Sequence, residues 1–141
     1  MLNILVTGGY GFIGSAFIRQ CLDTENCNIL NIDSMTYAAN KFNLRGYEEL
    51  ENYNFLELDI CETLSIQDAI SDFRPTWIVN FAAESHVDNS ISGPDTFMKT
   101  NIDGVLSLLK ASSSYFESIC KDKEFRLLHI STDEVFGDLK K

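Results

Sequence analysis

The chain has 141 residues, 45% hydrophobic and 11% aromatic, which suffices for one packed core and matches the size of a single domain. Asp and Glu number 21 against 11 Lys and Arg, a net charge of -10 that argues against a broad basic surface for nucleic acid or anionic lipid. No apolar run approaches the roughly 18 residues of a membrane span, and the stretch from Met1 to Thr7 lacks the positive flank of a signal peptide.

Short apolar runs alternate with longer segments of helical period, the pattern of an α/β domain with a doubly wound parallel sheet. The first strand is predicted at Asn3–Thr7 and the first helix at Phe12–Leu22. A second strand at Asn28–Ile32 is followed by the longest gap, from Ser34 to about Phe42, and long connections in compact domains are more often functional than idle. A third strand at Tyr53–Leu58 precedes a helix at Ser65–Phe73 that Pro75 ends. A fourth strand at Trp77–Phe81 leads to a long helix from Pro94, placed in its first turn, to about Ile119. The fifth strand spans Arg126–Ser131, and with no helix predicted after it that flank of the sheet is expected to be open. Val, Ile and Leu dominate most strands, as expected where both faces are covered. The cysteines Cys21, Cys27, Cys61 and Cys120 form no Cys-x-x-Cys pair, and His86 and His129 stand alone. Neither a metal site nor a disulfide framework is expected, and free thiols suit a cytoplasmic protein.

Thr7-Gly8-Gly9-Tyr10-Gly11-Phe12-Ile13-Gly14 joins the first strand to the first helix. Glycines there let the backbone turn sharply and approach a pyrophosphate, whose charge the free N–H groups of the helix start receive. The spacing fits both Gly9-x-Gly11-x-x-Gly14 and Gly8-x-x-Gly11-x-x-Gly14, so it does not separate dinucleotide-binding subfamilies; a tight turn without ligand is the alternative. Asp33 ends the second strand 19 residues after Gly14, where a carboxylate accepts from both ribose hydroxyls and repels a 2′-phosphate, favouring NAD over NADP. Asp59-Ile60 after the third strand could flank an adenine or merely form a turn. Phe81-Ala82-Ala83-Glu84-Ser85 closes the fourth strand at the ligand edge; its small residues leave room for a cofactor or serve close helix packing. Ser131-Thr132-Asp133-Glu134 follows the fifth strand at the same edge, either as an acid and base pair beside a nicotinamide or as a strand-end capping cluster.

On these residues the chain resembles the amino-terminal part of the nucleotide-sugar 4,6-dehydratases, which are extended short-chain dehydrogenases. The similarity runs end to end, through the glycine loop with Ser15, Asp33 with Thr36-Tyr37-Ala38, Asp59-Ile60, Ala82-Ala83-Glu84-Ser85-His86-Val87-Asp88 with Ser90-Ile91, Thr100-Asn101, and Ser131-Thr132-Asp133-Glu134-Val135-Phe136-Gly137. The resemblance implies an NAD-dependent enzyme acting on a nucleotide-linked hexose, dTDP-glucose first. Glu134 would remove the proton on carbon 5 and Asp133 would protonate the departing hydroxyl on carbon 6, while Thr132 and Ser85 hydrogen-bond the sugar. Gly8, Gly11, Phe12, Ile13, Gly14, Asp33, Ser34, Met35, Thr36, Asp59, Ile60, Phe81, Ala82, Ala83, Glu84, Ser85 and Thr100 would line the cofactor. Sugar epimerases and decarboxylases share the glycine loop, and a noncatalytic NAD-binding module is a further alternative.

The family's Tyr-x-x-x-Lys pair, in which lysine lowers the pKa of a tyrosine base, falls on a later helix. Tyr37-Ala38-Ala39-Asn40-Lys41 has the spacing but follows the second strand, beside the adenosine end of the cofactor. It is expected to be a decoy. Residues 1–141 are therefore expected to be an incomplete Rossmann-like domain, lacking the substrate-binding region, from a protein whose full-length form is a homodimer.

Overall fold

The computed structural model describes residues 1–24, 26–86, 91, 93–120 and 124–137. Five apolar runs form strands β1 (Leu2–Thr7), β2 (Cys27–Asp33), β3 (Tyr53–Glu57), β4 (Trp77–Asn80) and β5 (Arg126–His129). All neighbouring pairs are parallel, in the order β3-β2-β1-β4-β5. The chain winds outward from β1 to β3, then returns to the other side of β1. That reversal opens a crevice at the C-terminal ends of β1 and β4, where doubly wound sheets take their ligands.

Parallel strands need crossovers, and these are α1 (Phe12–Thr24), α2 (Thr63–Phe73) and a long helical stretch. That stretch begins as α3 (Pro94–Met98), loosens to π-helix over Lys99–Gly104, continues as α4 (Val105–Tyr115) and ends in a second π segment, Phe116–Cys120. The helical period predicts its extent but not its π segments, because the apolar spacing barely changes. β3, β4 and β5 end one or two residues before their predicted limits. One further ladder bond follows each, from Leu58 N to Asp33 O (3.1 Å), Phe81 N to Thr7 O (2.9 Å) and Ile130 N to Asn80 O (3.0 Å).

Alternation along β1 divides the core. Leu5 packs with Ile78, Ile66, Ile70 and Leu108 under α2 and α4, while Ile4 and Val6 pack with Ile18, Ile29 and Val79 under α1. Coverage on both faces holds for β1 and β2 and fails for β5. There Leu127 is half-buried against the first cluster, whereas Leu128 is 53% exposed at the sheet edge. The gap after β2 carries Met35 at φ 54° and then a 3-10 turn, Lys41–Leu44. Asn40 caps the turn by accepting from Phe42 N, and fully buried Leu44 pins it to the core.

Cys61 lies in the turn between β3 and α2. Its N–H donates to Asp59 Oδ1 (2.9 Å) and its thiol to Lys99 O (3.4 Å). Burial pushes the thiol pKa up to about 11, and hydrogen bonding to Asp59 and the charge of Asp59 act in the same direction.

Two measurements check this packing. Ile78→Ala, at a position with 0% exposure, should lower unfolding stability by about 2–5 kcal/mol in denaturant titration, against less than about 1 kcal/mol for exposed Leu128→Ala. In peptide-resolved alkylation, Cys61 should react about 100-fold more slowly near neutral pH than a thiol of ordinary pKa, because two pKa units remove that much thiolate. The rate should climb tenfold per pH unit up to about 11, and Asp59→Asn should raise it at fixed pH.

Candidate functional site

The crevice is built around the loop after β1. Gly8 takes φ 72°, and a Cβ there would lie 2.6 Å from Ala82 N, so the loop after β4 can come this close only to a glycine. A Cβ on Gly14 would meet Gly8 O, so that glycine lets α1 begin directly against the turn. Gly11 N donates to Gly8 O (3.2 Å) and Ser15 N to Gly11 O (3.0 Å), starting the helix while its first N–H groups face the crevice end.

Asp33 is 8% exposed and both its oxygens are engaged. Oδ2 accepts from Tyr10 N (2.9 Å) in the glycine loop and Oδ1 from Met35 N (3.0 Å) in the next turn. Asn40 N and Asn43 Nδ2 both donate to Tyr10 O (3.0 and 3.1 Å), tying the segment after β2 to the same residue. Behind the loop, Asn31 Nδ2 donates to Tyr53 OH (2.9 Å). Burial raises the pKa of both Tyr10 and Tyr53, so these hydroxyls act as neutral groups. Sequence reasoning missed this polar layer, because Asn31 and Tyr53 read as ordinary strand residues.

The opposite wall comes from β3, β4 and the π segment. Asp59 both forms the turn to Cys61 and faces Lys99, whose Nζ lies 3.7 Å from Oδ2. Both side chains are partly exposed, so the ion pair is worth little energetically. Asn101 grips the backbone of Glu84 at both groups, accepting from its N (2.9 Å) and donating to its O (2.8 Å). Tyr37 OH donates to Glu84 Oε2 (3.0 Å), joining the segment after β2 to the loop after β4. Lys41, its partner in the decoy spacing, instead lies over the Phe55 ring, 5.6 Å from the centroid.

These walls enclose an open trough of about 190 Å3. Of the expected cofactor residues, Gly8, Gly11, Asp33, Ser34, Thr36, Asp59, Ile60, Ala82, Ala83, Glu84 and Thr100 line it. Phe12, Ile13, Gly14, Met35, Phe81 and Ser85 do not: Phe12 and Ile13 are exposed at the start of α1, Gly14 is buried beneath the loop, and Phe81 packs against Phe17. Ile32, Ala38, Ala39, Leu58, Thr96 and Lys99, none of them among the expected cofactor residues, complete the lining. Thr96 and Lys99 were hidden because their stretch reads as a packing helix.

At the β5 tip, Ser131 and Thr132 are exposed and the backbone of Asp133–Phe136 forms one 3-10 turn before Gly137 at φ 65°. Thr132 does not line the trough, and the side chains of Asp133 and Glu134 lie outside what the structure describes, as do Val87, Asp88 and Ser90. Among the described residues, no helix is long and apolar enough to cross a membrane.

Comparison with known proteins follows the same lines. The dTDP-glucose 4,6-dehydratase of Haemophilus influenzae is 47% identical over 141 residues, covering 99% of this chain and 42% of that protein. The crystal structure of DesIV, a dTDP-glucose 4,6-dehydratase from Streptomyces venezuelae with NAD and TYD bound, superposes with a TM-score of 0.86 at 36% identity, over 99% of this chain and 42% of that one. A UDP-glucose 4-epimerase from Thermotoga maritima with UDP-glucose reaches a TM-score of 0.82 at 29% identity, covering 99% of this chain and 41% of its own. The chain thus spans about 40% of the length of the curated relatives it matches. The sequence profile of the family described as GDP-mannose 4,6 dehydratase matches residues 5–141, and the chain belongs to that family.

Proposed function

We propose that this chain binds NAD in the trough and forms the cofactor half of a nucleotide-sugar 4,6-dehydratase acting on dTDP-glucose. The observation that carries the reading is the pairing of Asp33, clamped at the end of β2, with a glycine loop that a side chain at Gly8 would block. The residues fit the group. Asp33 presents its remaining lone pairs to the ribose hydroxyls, and its negative charge disfavours a 2′-phosphate. The helix start after Gly11 takes the pyrophosphate without needing a cation. Asp59 and Ile60 flank the adenine.

When bound, the cofactor supplies reversible acceptance of hydride from the hexose. Glu134 takes the proton from carbon 5, Asp133 delivers a proton to the hydroxyl leaving carbon 6, and Thr132 and Ser85 hold the sugar near its 4-hydroxyl. Proton abstraction at that hydroxyl belongs to a Tyr-x-x-x-Lys pair, and within residues 1–141 that spacing occurs only at Tyr37 and Lys41. Tyr37 is committed to Glu84 and Lys41 to Phe55. Free thiols suit a cytoplasmic setting, and the full-length protein pairs as a homodimer through helices flanking the sheet. The 29% identity to an epimerase supports a second reading, a nucleotide-sugar epimerase.

Calorimetry of the 141-residue chain should show NAD binding in preference to NADP, and Asp33→Asn should weaken NAD by about 10-fold or more, the worth of a charged hydrogen bond. Unchanged affinity in that variant would remove the ribose assignment. The same chain should release no 4-keto-6-deoxy sugar from dTDP-glucose, and turnover by it would show that no Tyr-x-x-x-Lys helix is required. In the protein carried to its relatives' length, Glu134→Gln should lower dehydration at least about 100-fold, as loss of a general base does. An epimerase would keep its activity in that variant.

A further inference from the structure

Above the apolar row Leu5, Ile78 and Leu127, which register places side by side across β1, β4 and β5, lies a polar row of Thr7, Asn80 and His129 on the same face. Thr7 and Asn80 are buried, at 0% and 1% exposure. The hydroxyl of Thr7 donates to Asn80 Oδ1, which also accepts from Ala82 N at 3.2 Å. A backbone N–H can only donate, so the atom it meets must be the Asn80 oxygen, and the amide nitrogen is the atom 2.9 Å from His129 Nδ1. An amide nitrogen only donates as well. His129 Nδ1 must therefore be an unprotonated acceptor, which leaves the ring proton of the neutral imidazole on Nε2.

We propose that Thr7, Asn80 and His129 form a strut across three strands in which Asn80 holds His129 as the Nε2-protonated tautomer, making His129 a positioning residue for the β5 tip. One end of the strut is the residue before Gly8. The other stands three residues before Thr132. The strut thus joins the loop that shapes the trough to the segment bearing Thr132, Asp133 and Glu134, and in its consequence for the dinucleotide it rests on the NAD reading above. The Ile130 N–H that donates to Asn80 O at 3.0 Å lies directly beyond His129 and reports whether the join is closed.

The test uses geometry peculiar to these side chains. Oδ1 of Asn occupies the place of His Nδ1, whereas Oε1 of Gln occupies that of Nε2. H129N thus keeps an acceptor for Asn80, H129Q moves it outward and H129L removes it. Long-range proton–nitrogen correlation spectra at about pH 8.5, where imidazoles of ordinary pKa are neutral, should show one of the two histidines with unprotonated Nδ1 and protonated Nε2, assigned to His129 by its loss in H129N. Amide exchange at Ile130 should match the parent in H129N and rise about fivefold in H129Q and H129L, the worth of one ordinary hydrogen bond. An Nδ1-protonated His129, or protection kept by H129Q and lost by H129N, overturns the proposal. NAD affinity measured alongside should fall with the same ranking. Absence of NAD binding in the parent chain would sink the cofactor reading alone, since tautomer and exchange are read without ligand.

Discussion

Asp33 is nearly buried, and a carboxylate removed from water is costly unless donors replace the lost hydration. Here the replacement comes from two backbone N–H groups on either side, one in the glycine loop and one in the turn after β2. The same contacts that keep the charge tolerable also set the separation of the two segments forming one wall of the trough. Met35 sits in the left-handed region at φ 54°, a conformation unfavourable for its side chain, and the bond from its N–H to Asp33 helps hold it there. The burial of a charge and the geometry of two loops therefore depend on one carboxylate.

The other wall is assembled from more distant parts of the chain. Glu84 contributes its side chain to Tyr37 and its backbone to Asn101, so the loop after β4 is fixed from the segment after β2 and from the π segment at once. The wider i→i+5 turns of Lys99–Gly104 fall where Lys99 and Thr100 meet the trough, and π segments often occur at functional positions. Gly104 closes the same region from below. A Cβ there would lie 2.7 Å from Ile60 Cδ1, so the helix rests directly on a residue that lines the trough.

The parts legible in the sequence are those with a strong local pattern. Short apolar runs and period-3.6 spacing located every strand and crossover helix to within a few residues, and the glycine loop with Asp33 stood out because its pattern lies along one stretch of chain. What escaped notice depends on contacts between stretches. Lys99 meets Asp59 across 40 positions, Asn31 meets Tyr53 across 22, and neither pair carries a mark in its own neighbourhood. At β5 the open flank was expected, but not which side chain it would expose: Leu127 and Leu128 look alike in sequence, and among the described residues Leu127 packs against a core cluster while Leu128 is exposed. The acid pair at Asp133 and Glu134 was visible as chemistry on a strand end, which does not specify the direction of a side chain.

The stacking of an apolar row beneath a polar one bears on how the sheet finds its alignment. In a parallel sheet, a slide of one residue turns every side chain to the wrong face, but a slide of two preserves facing and would escape that check. Here a two-step slide of β4 against β1 would set Asn80 opposite Leu5, burying an amide among aliphatic groups and stranding the Thr7 hydroxyl. The polar upper tier thus acts as a vernier for the apolar lower one, rejecting the misalignment that hydrophobicity alone would accept.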